Sequence, residues 1–298
     1  MMHWPDYSLL DCGGQEKLER FGPYVLRRPE PQAIWSKQAE ASIWHRYDAS
    51  FTRSNQEKAG GWTFTKAPIQ PWWIHYQKVK LQLQCTSFGH VGVFPEQIEN
   101  WAKLDQLIQK LTQPKVLNLF AYTGAASLVA RQAGAEVYHV DAVPSMLTWA
   151  RTNMEQSDLS DIRWVAEDAF KFVSREVNRS KSYDGIILDP PAYGRGPKGE
   201  KWLLADQIDE LLDKCAQLLK PAGKFILLNM YSMGFSPMIA QQLLELHFKG
   251  WHIEAKELYI TAESGVVLPL GIYGLAVRNS ANNRTNRTNL PTPAVVNF

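Results

Sequence analysis

Lys115-Val116-Leu117-Asn118-Leu119-Phe120-Ala121-Tyr122-Thr123-Gly124-Ala125 decides the fold. Its first half is a short apolar run suited to a buried strand. The chain then turns through small residues and enters Ala-rich helical sequence over 126–133. A strand that stops at glycine and yields to a helix leaves backbone N–H groups and a helix N-terminus beside any ligand at the carboxyl edge of the sheet.

Downstream the same unit recurs. Strands are expected at 136–141, 162–168, 183–189 and 224–230, and helices at 145–156, 170–178, 203–219 and 237–248. Segments 253–260 and 271–278 are close enough to pair as a final hairpin. Strands alternating with helices imply a doubly wound α/β fold, its mainly parallel sheet covered on both faces.

Upstream the pattern changes. Residues 1–90 alternate short β-like runs with Pro and Gly, which predicts a small β-rich domain. A hairpin with a Gly13-Gly14 turn is expected first, then a strand at 24–28, a short helix at 38–46 and strands at 60–65, 73–76 and 80–85. Of eleven tryptophans, seven (Trp4, Trp35, Trp44, Trp62, Trp72, Trp73, Trp101) precede Asn118, which marks this part as distinct. Its aromatic and basic residues, among them Trp44, Arg53, Trp62, Trp72 and Trp73, allow two readings. They form a stacking surface for bases, or they fill a small β core and pack against the second domain, the plainer of the two.

The formal charge of +2 neither demands nor forbids a nucleic-acid partner. Three scattered cysteines (Cys12, Cys85, Cys215) lack metal spacing and read as free thiols in a reducing compartment. Met1-Met2-His3-Trp4-Pro5-Asp6 lacks a basic-then-apolar signal, and no apolar run approaches membrane-spanning length. A cytoplasmic protein without a membrane partner is expected. The polar run after Arg278 reads as a disordered tail, 279–298.

Three acids fall at the ends of successive predicted strands: Asp141, Asp168 and Asp189. In a doubly wound sheet those ends line one crevice. Asp141 follows the glycine turn by about 20 residues, where an acid meets a ribose hydroxyl. The loop has one glycine, so a backbone fitted against pyrophosphate is not expected, and a nucleotide-like cofactor without pyrophosphate suits it better. Gly194 to Lys201 resembles a phosphate loop in composition but lacks its spacing. Asp189-Pro190-Pro191-Ala192-Tyr193 is the most specific feature. Two prolines fix an extended backbone after a buried strand and free its carbonyls from ladder pairing. With the acid and the Tyr193 ring they suggest a clamp for a planar, amine-bearing base removed from its stack. His90 to Gln97, ahead of a helix at 98–111, reads either as a linker and cap or as a lid carrying Phe94, Glu96 and Gln97 to the crevice.

Together, 118–124, Asp141, Asp168-Ala169 and Asp189-Pro190-Pro191-Ala192-Tyr193 resemble class I S-adenosylmethionine-dependent methyltransferases. More narrowly, the chain is similar to bacterial large-subunit rRNA methyltransferases, a family that includes cytosine-C5 enzymes. Gly92 to Gln97 resembles that family's Gly-x-aromatic-Leu-Asp-Gln element, with Pro95-Glu96 replacing Leu-Asp, and 268–273 resembles its closing segment. The resemblance implies a Rossmann-like seven-stranded sheet over 91–278, mostly parallel with a terminal antiparallel hairpin. It also implies that 1–90 precedes the catalytic domain as a small β-rich unit concerned with substrate. The implied cofactor is S-adenosyl-L-methionine. Asn118 and Phe120-Ala121-Tyr122-Thr123-Gly124 would cradle its methionine part, Asp141 with Ala142 its ribose, and Asp168 with Ala169 the adenine edge. Phe94, Glu96 and Gln97 would close over it. Asp189, Pro190, Pro191 and Tyr193 would hold the acceptor, a nucleobase of rRNA.

Carbon-5 methylation of cytosine also needs a thiolate that adds to the ring. The resembling cytosine enzymes carry a Cys after strand five, where this chain has Asn229-Met230-Tyr231-Ser232-Met233-Gly234. Methylation of a ring or exocyclic nitrogen fits better. A protein or small-molecule acceptor, and a non-catalytic scaffold, stay open as alternatives.

Overall fold

The structure is a computed structural model that describes residues 4–53, 61–195, 199, 201–219, 223–231 and 234–278. The 279–298 tail lies outside the described residues, as does most of 196–200. The chain begins with strands β1 (Tyr7–Gly13), β2 (Glu16–Phe21) and β3 (Tyr24–Pro29). Helix α1 (Ala41–Trp44), strands β4 (Ala49–Thr52) and β5 (Gly61–Phe64), and the hairpin β6 (Trp72–Tyr76) with β7 (Val79–Leu83) follow. The first five strands form one sheet in sequence order. The β1–β2 turn is Gly14-Gln15, because Gly13 still pairs with Glu16; the expected Gly13-Gly14 turn moves one residue on. Both turn residues take positive φ (59° and 63°), as a tight hairpin of this hand requires.

After a 3-10 turn at Pro95–Gln97 come α2 (Ile98–Ile108), β8 (Lys115–Leu119), α3 (Ala125–Gln132) and β9 (Glu136–Asp141). Then follow α4 (Pro144–Gln156), β10 (Ile162–Ala166), α5 (Ala169–Asn178) and β11 (Gly185–Leu188). A short hairpin, β12 (Tyr193–Arg195) with β13 (Lys201–Leu203), runs into α6 (Leu204–Leu218). The chain closes with β14 (Phe225–Met230), α7 (Pro237–His247), β15 (His252–Thr261) and β16 (Val267–Val277). The main sheet has seven strands in the order β10-β9-β8-β11-β14-β16-β15, and β16 runs antiparallel to both its neighbours. This is the expected class I methyltransferase sheet, with its terminal antiparallel hairpin and an N-terminal β-rich region. The β4 strand and the β12–β13 hairpin carry no alternating signal, and the sequence did not disclose them.

The central strands are apolar on both sides because both faces are covered. Val116, Ile187 and Leu227 face one core; Leu117, Ile186, Leu188 and Ile226 face the other, beneath α5, α6 and α7. The first core runs without a break into the N-terminal sheet through Trp101, Trp4, Tyr7, Phe21 and Ile74. Trp4 meets Trp101 at 5.6 Å and Tyr76 meets it at 5.1 Å. Trp44 and Trp72 are buried as well. The structure therefore favours packing, the plainer reading of the tryptophans.

Hydrogen bonds tie the N-terminal region to the rest at the β6–β7 hairpin and at β1. Lys80 N donates to Ser157 Oγ (2.8 Å), Gln82 N to Asn153 Oδ1 (2.8 Å), and Trp149 Nε1 to the Gln82 carbonyl (3.0 Å), which docks β7 on α4. At the other place the β15–β16 turn reaches β1. Glu263 N donates to the Leu9 carbonyl (2.8 Å), and Ser264 Oγ donates to Asp11 Oδ1 (2.7 Å).

Candidate active site

Parallel register assembles the site. Leu119 pairs with Val140 and with Leu188, and Leu188 pairs with Leu228. The next residues along, Asp141, Phe120, Asp189 and Asn229, therefore fall in one row across four strands. That row lies where strand order reverses between β8 and β11, the place at which open α/β sheets bind ligands.

The loop after β8 is tightly wound, with Phe120, Tyr122 and Gly124 at φ of 57°, 50° and 92°. A Cβ on Gly124 would stand 3.0 Å from that of Ala150, so both conformation and space require glycine. Beneath the loop, Asn118 Nδ2 donates to Ser127 Oγ (2.9 Å), which meets His139 Nδ1 at 3.0 Å. Burial pushes the His139 imidazole down to about 3, so it is neutral and uncharged below the cofactor loop. Thr123 Oγ1 donates to the Gly92 carbonyl (2.6 Å), which fastens the loop to the segment carrying Phe94, Glu96 and Gln97.

Two connected cavities open here. A narrow one, lined by Phe94, Gln97, Asn118, Thr123, Gly124 and Asn229, lies against the loop. It joins a cleft of about 1070 Å³ walled by Glu96, Asp141, Ala142, Asp168 and Asp189. The structure thus brings together most of the residues expected from the sequence. Pro190, Tyr193 and Ala169 are the exceptions among the cavity walls. Pro190 is buried. Tyr193 is 50% exposed; strand alternation turns its neighbour Gly194 to the cleft instead. Ala169 is buried at the start of α5, next to Asp168. The Pro191 carbonyl, expected to be free, accepts from Trp202 Nε1 at 2.7 Å.

Each acid is anchored differently. Asp141 Oδ2 accepts from Tyr122 N (2.8 Å) and Oδ1 from Val143 N (2.9 Å). Burial raises its pKa, and those two amides work against the rise. Each oxygen keeps a lone pair, the arrangement a vicinal diol needs. Asp168 caps α5 through Lys171 N (2.9 Å). Asp189 is the outlier: its Oδ1 is buried with no hydrogen-bond partner among the described residues. Burial first and the nearby Glu96 second push its pKa up to about 7. Glu96 is itself raised to about 7, by burial and by Glu19, against the opposing pull of Lys17 and Arg28.

Other groups here were not legible as site residues. Tyr231 directly follows β14. Its hydroxyl takes a short hydrogen bond from Gln97 Nε2 and contacts Glu96. Asn100 Nδ2 donates to Gln97 Oε1 (2.6 Å) and Asn229 Oδ1 (2.7 Å), which locks Gln97 in place. The Trp202 ring lies 4.9 Å from that of Phe120, tilted by 50°. No cysteine lines either cavity among the described residues. Cys215 is fully buried, and burial raises its thiol pKa.

S-adenosylmethionine fits this set. A carboxylate with a lone pair to spare on each oxygen, a tightly wound loop at a helix N-terminus and a buried, unpartnered carboxylate oxygen just after β11 would suit its ribose, methionine and reacting ends.

Comparison with known proteins agrees. The chain is 37% identical to the SAM-dependent methyltransferase of Agrobacterium tumefaciens, whose crystal structure superposes with a TM-score of 0.88 over 93% of this chain and 92% of that one. It is 29% identical over 273 residues to ribosomal RNA large subunit methyltransferase I of Aeromonas salmonicida, covering 83% of this chain and 64% of that protein. It is 31% identical over 156 residues to ribosomal RNA large subunit methyltransferase K/L of a Shewanella strain, covering 50% of this chain and 21% of that protein. The chain thus spans somewhat less than two thirds of the length of the first of these rRNA enzymes. The model of the S-adenosylmethionine-dependent methyltransferase family matches residues 24–248. With the row of acids at the carboxyl edge of a seven-stranded sheet, that match makes this chain a member of the S-adenosylmethionine-dependent methyltransferase family.

Proposed function

We propose that the protein methylates a nitrogen atom of a nucleobase in ribosomal RNA, in the cytoplasm, with residues 1–90 contributing to substrate recognition. The unpartnered Asp189 Oδ1 carries this reading. A buried carboxylate oxygen without a donor is costly unless a ligand supplies one, and an amine-bearing base does. Both relatives named as rRNA methyltransferases support the substrate class. No helix among the described residues is long and apolar enough to cross a membrane.

S-adenosylmethionine supplies an activated methyl group on a sulfonium. The residues of the chain then have three tasks. Asp141 and Ala142 hold the ribose, and Asp168 with the Ala169 N–H reads the adenine edge. Asn118 and the loop 120–124 hold the methionine part, while Phe94 and Gln97 shut water out. Asp189 would accept a hydrogen bond from the acceptor amine, hold it toward the methyl donor, and take up the proton released as the N–C bond forms and the S–C bond breaks to leave S-adenosylhomocysteine. Glu96 and Tyr231 keep that proton within the site. A nitrogen acceptor needs no covalent adduct, which suits a cleft without a thiol.

The test is mass mapping of rRNA from a strain lacking the gene. One missing methyl, restored by the wild-type gene and not by an Asp189→Ala copy, supports the proposal. An unchanged rRNA methylation map overturns it.

A further inference from the structure

The Phe88 ring is 73% exposed and lies on the wall of the cleft. An exposed aromatic is unremarked when its loop is free to fold back, but this loop is held. Thr86 N donates to the His90 carbonyl (3.2 Å), and Gly89 N donates to the Thr86 carbonyl (3.0 Å). Thr86 Oγ1 adds a bond to the same His90 carbonyl (2.7 Å). Two side chains of the N-terminal region brace the turn from below. Trp62 Nε1 donates to the Thr86 carbonyl (2.7 Å) and Arg28 Nη1 to the Gly89 carbonyl (3.0 Å). Arg28 is itself fixed by Glu19 through Nε (2.9 Å) and Nη2 (2.6 Å). Gly89 takes φ of +80°, and a Cβ there would lie 2.6 Å from the Phe51 ring, so the turn seats directly on that ring. The result is an apolar ring held out toward solvent at the mouth of the cleft.

Its surroundings select a partner. Lys17, Arg28 and Arg53 line the same end of the cleft, and α4 faces it with Ser145, Thr148 and Thr152. A docking protein asks for a contiguous apolar patch. Lys17 and Arg28 are paired with Glu19 and Glu30, but Arg53 is exposed, and a single ring beside an exposed guanidinium and hydroxyls suits a base with its phosphate. We propose that Phe88 is a stacking platform for an unpaired nucleotide that flanks the methyl acceptor in the RNA. This rests on the reading of the substrate as RNA.

The test uses the full chain with Phe88→Ala, Phe88→Leu and Phe88→Tyr. Two probes are titrated: a fluorescent 20-nucleotide single-stranded RNA of mixed sequence, followed by anisotropy, and S-adenosylhomocysteine, followed by calorimetry. Phe88→Ala and Phe88→Leu should weaken RNA binding about tenfold, with Phe88→Tyr near wild type and S-adenosylhomocysteine affinity unchanged. Four results overturn the proposal. If Phe88→Ala or Phe88→Leu binds the RNA as wild type does, the ring does not stack on a base. If S-adenosylhomocysteine affinity falls in step, Phe88 belongs to the cofactor site. If wild type binds no RNA while binding S-adenosylhomocysteine, the RNA reading falls too. A tryptic peptide mixture that competes with the RNA only when Phe88 is present would assign the ring to a protein partner instead.

Discussion

The floor and the rim of the cleft are built by different means. The floor is built from the carboxyl edge of one parallel sheet: hydrogen-bond register places Asp141 and Asp189, and Asp168, two residues beyond the end of β10, is set by its place as the cap of α5. The rim, with Phe88, Arg28 and Arg53, comes from loops and the N-terminal sheet, and tertiary bracing places it. In the reading proposed above, floor residues carry the chemistry and rim residues select the molecule that reaches it. A parallel sheet fixes its carboxyl edge whatever else the chain does, whereas a braced loop depends on contacts from distant segments.

If that division holds, losses at the floor separate from losses at the rim. The largest expected effect is at Asp189: Asp189→Ala should lower turnover by about a hundredfold or more. Its S-adenosylhomocysteine affinity should stay within about threefold of wild type, read by calorimetry beside single-turnover methylation. Equal loss of both would move Asp189 to the cofactor side. Next, Asp141→Ala should weaken S-adenosylhomocysteine binding roughly 10- to 100-fold, the cost of removing hydrogen bonds to a charged group. RNA affinity should hold in that variant, and a parallel loss would join floor and rim into one site.

Glu96 tests the boundary between them. Its carboxyl is raised to about 7 in the folded protein, against about 4.3 unfolded. The folded state therefore binds more protons between those values. The stability this contributes is fully present below about pH 4 and is lost as pH rises through about 7. Between pH 5 and pH 8 the melting temperature of wild type should fall by a few degrees more than that of Glu96→Gln. Parallel curves for the two proteins would show that Glu96 is not buried as a neutral acid. The smallest effect is at Cys215, which lies among apolar side chains of α6 away from both cavities. Cys215→Ser should keep turnover within about twofold at a permissive temperature. A folded but inactive variant would restore a thiolate mechanism.

The legible part of the molecule follows the same division. The β8 strand, the glycine turn and the three acids could be placed because period and strand order dictate where they meet. Sequence spacing gave Tyr193 the wrong face, since the β12–β13 hairpin that orients it has no periodic signal. Trp202 was likewise silent in the sequence, yet it takes the Pro191 carbonyl. Trp44, Trp62, Trp72 and Trp73 raised the possibility of base stacking, but large apolar rings lower the free energy most when buried, and Trp44 and Trp72 are. The ring offered to the cleft is a phenylalanine in a four-residue turn, a position that no composition argument singles out.

The bond between Ser264 Oγ and Asp11 Oδ1 spans 253 residues of sequence. Asp11 also accepts from Gln38 N, Ala39 N and Trp44 Nε1. The first strand thus receives its last partner from the final hairpin. On the ribosome, where chains emerge from the N-terminus onward, β1 must wait for nearly the whole polypeptide before its edge is closed. Contacts of such long separation slow folding. A methyltransferase of this construction is expected to become protease-resistant in one late step, after residue 264 has left the exit tunnel, rather than region by region as it is made.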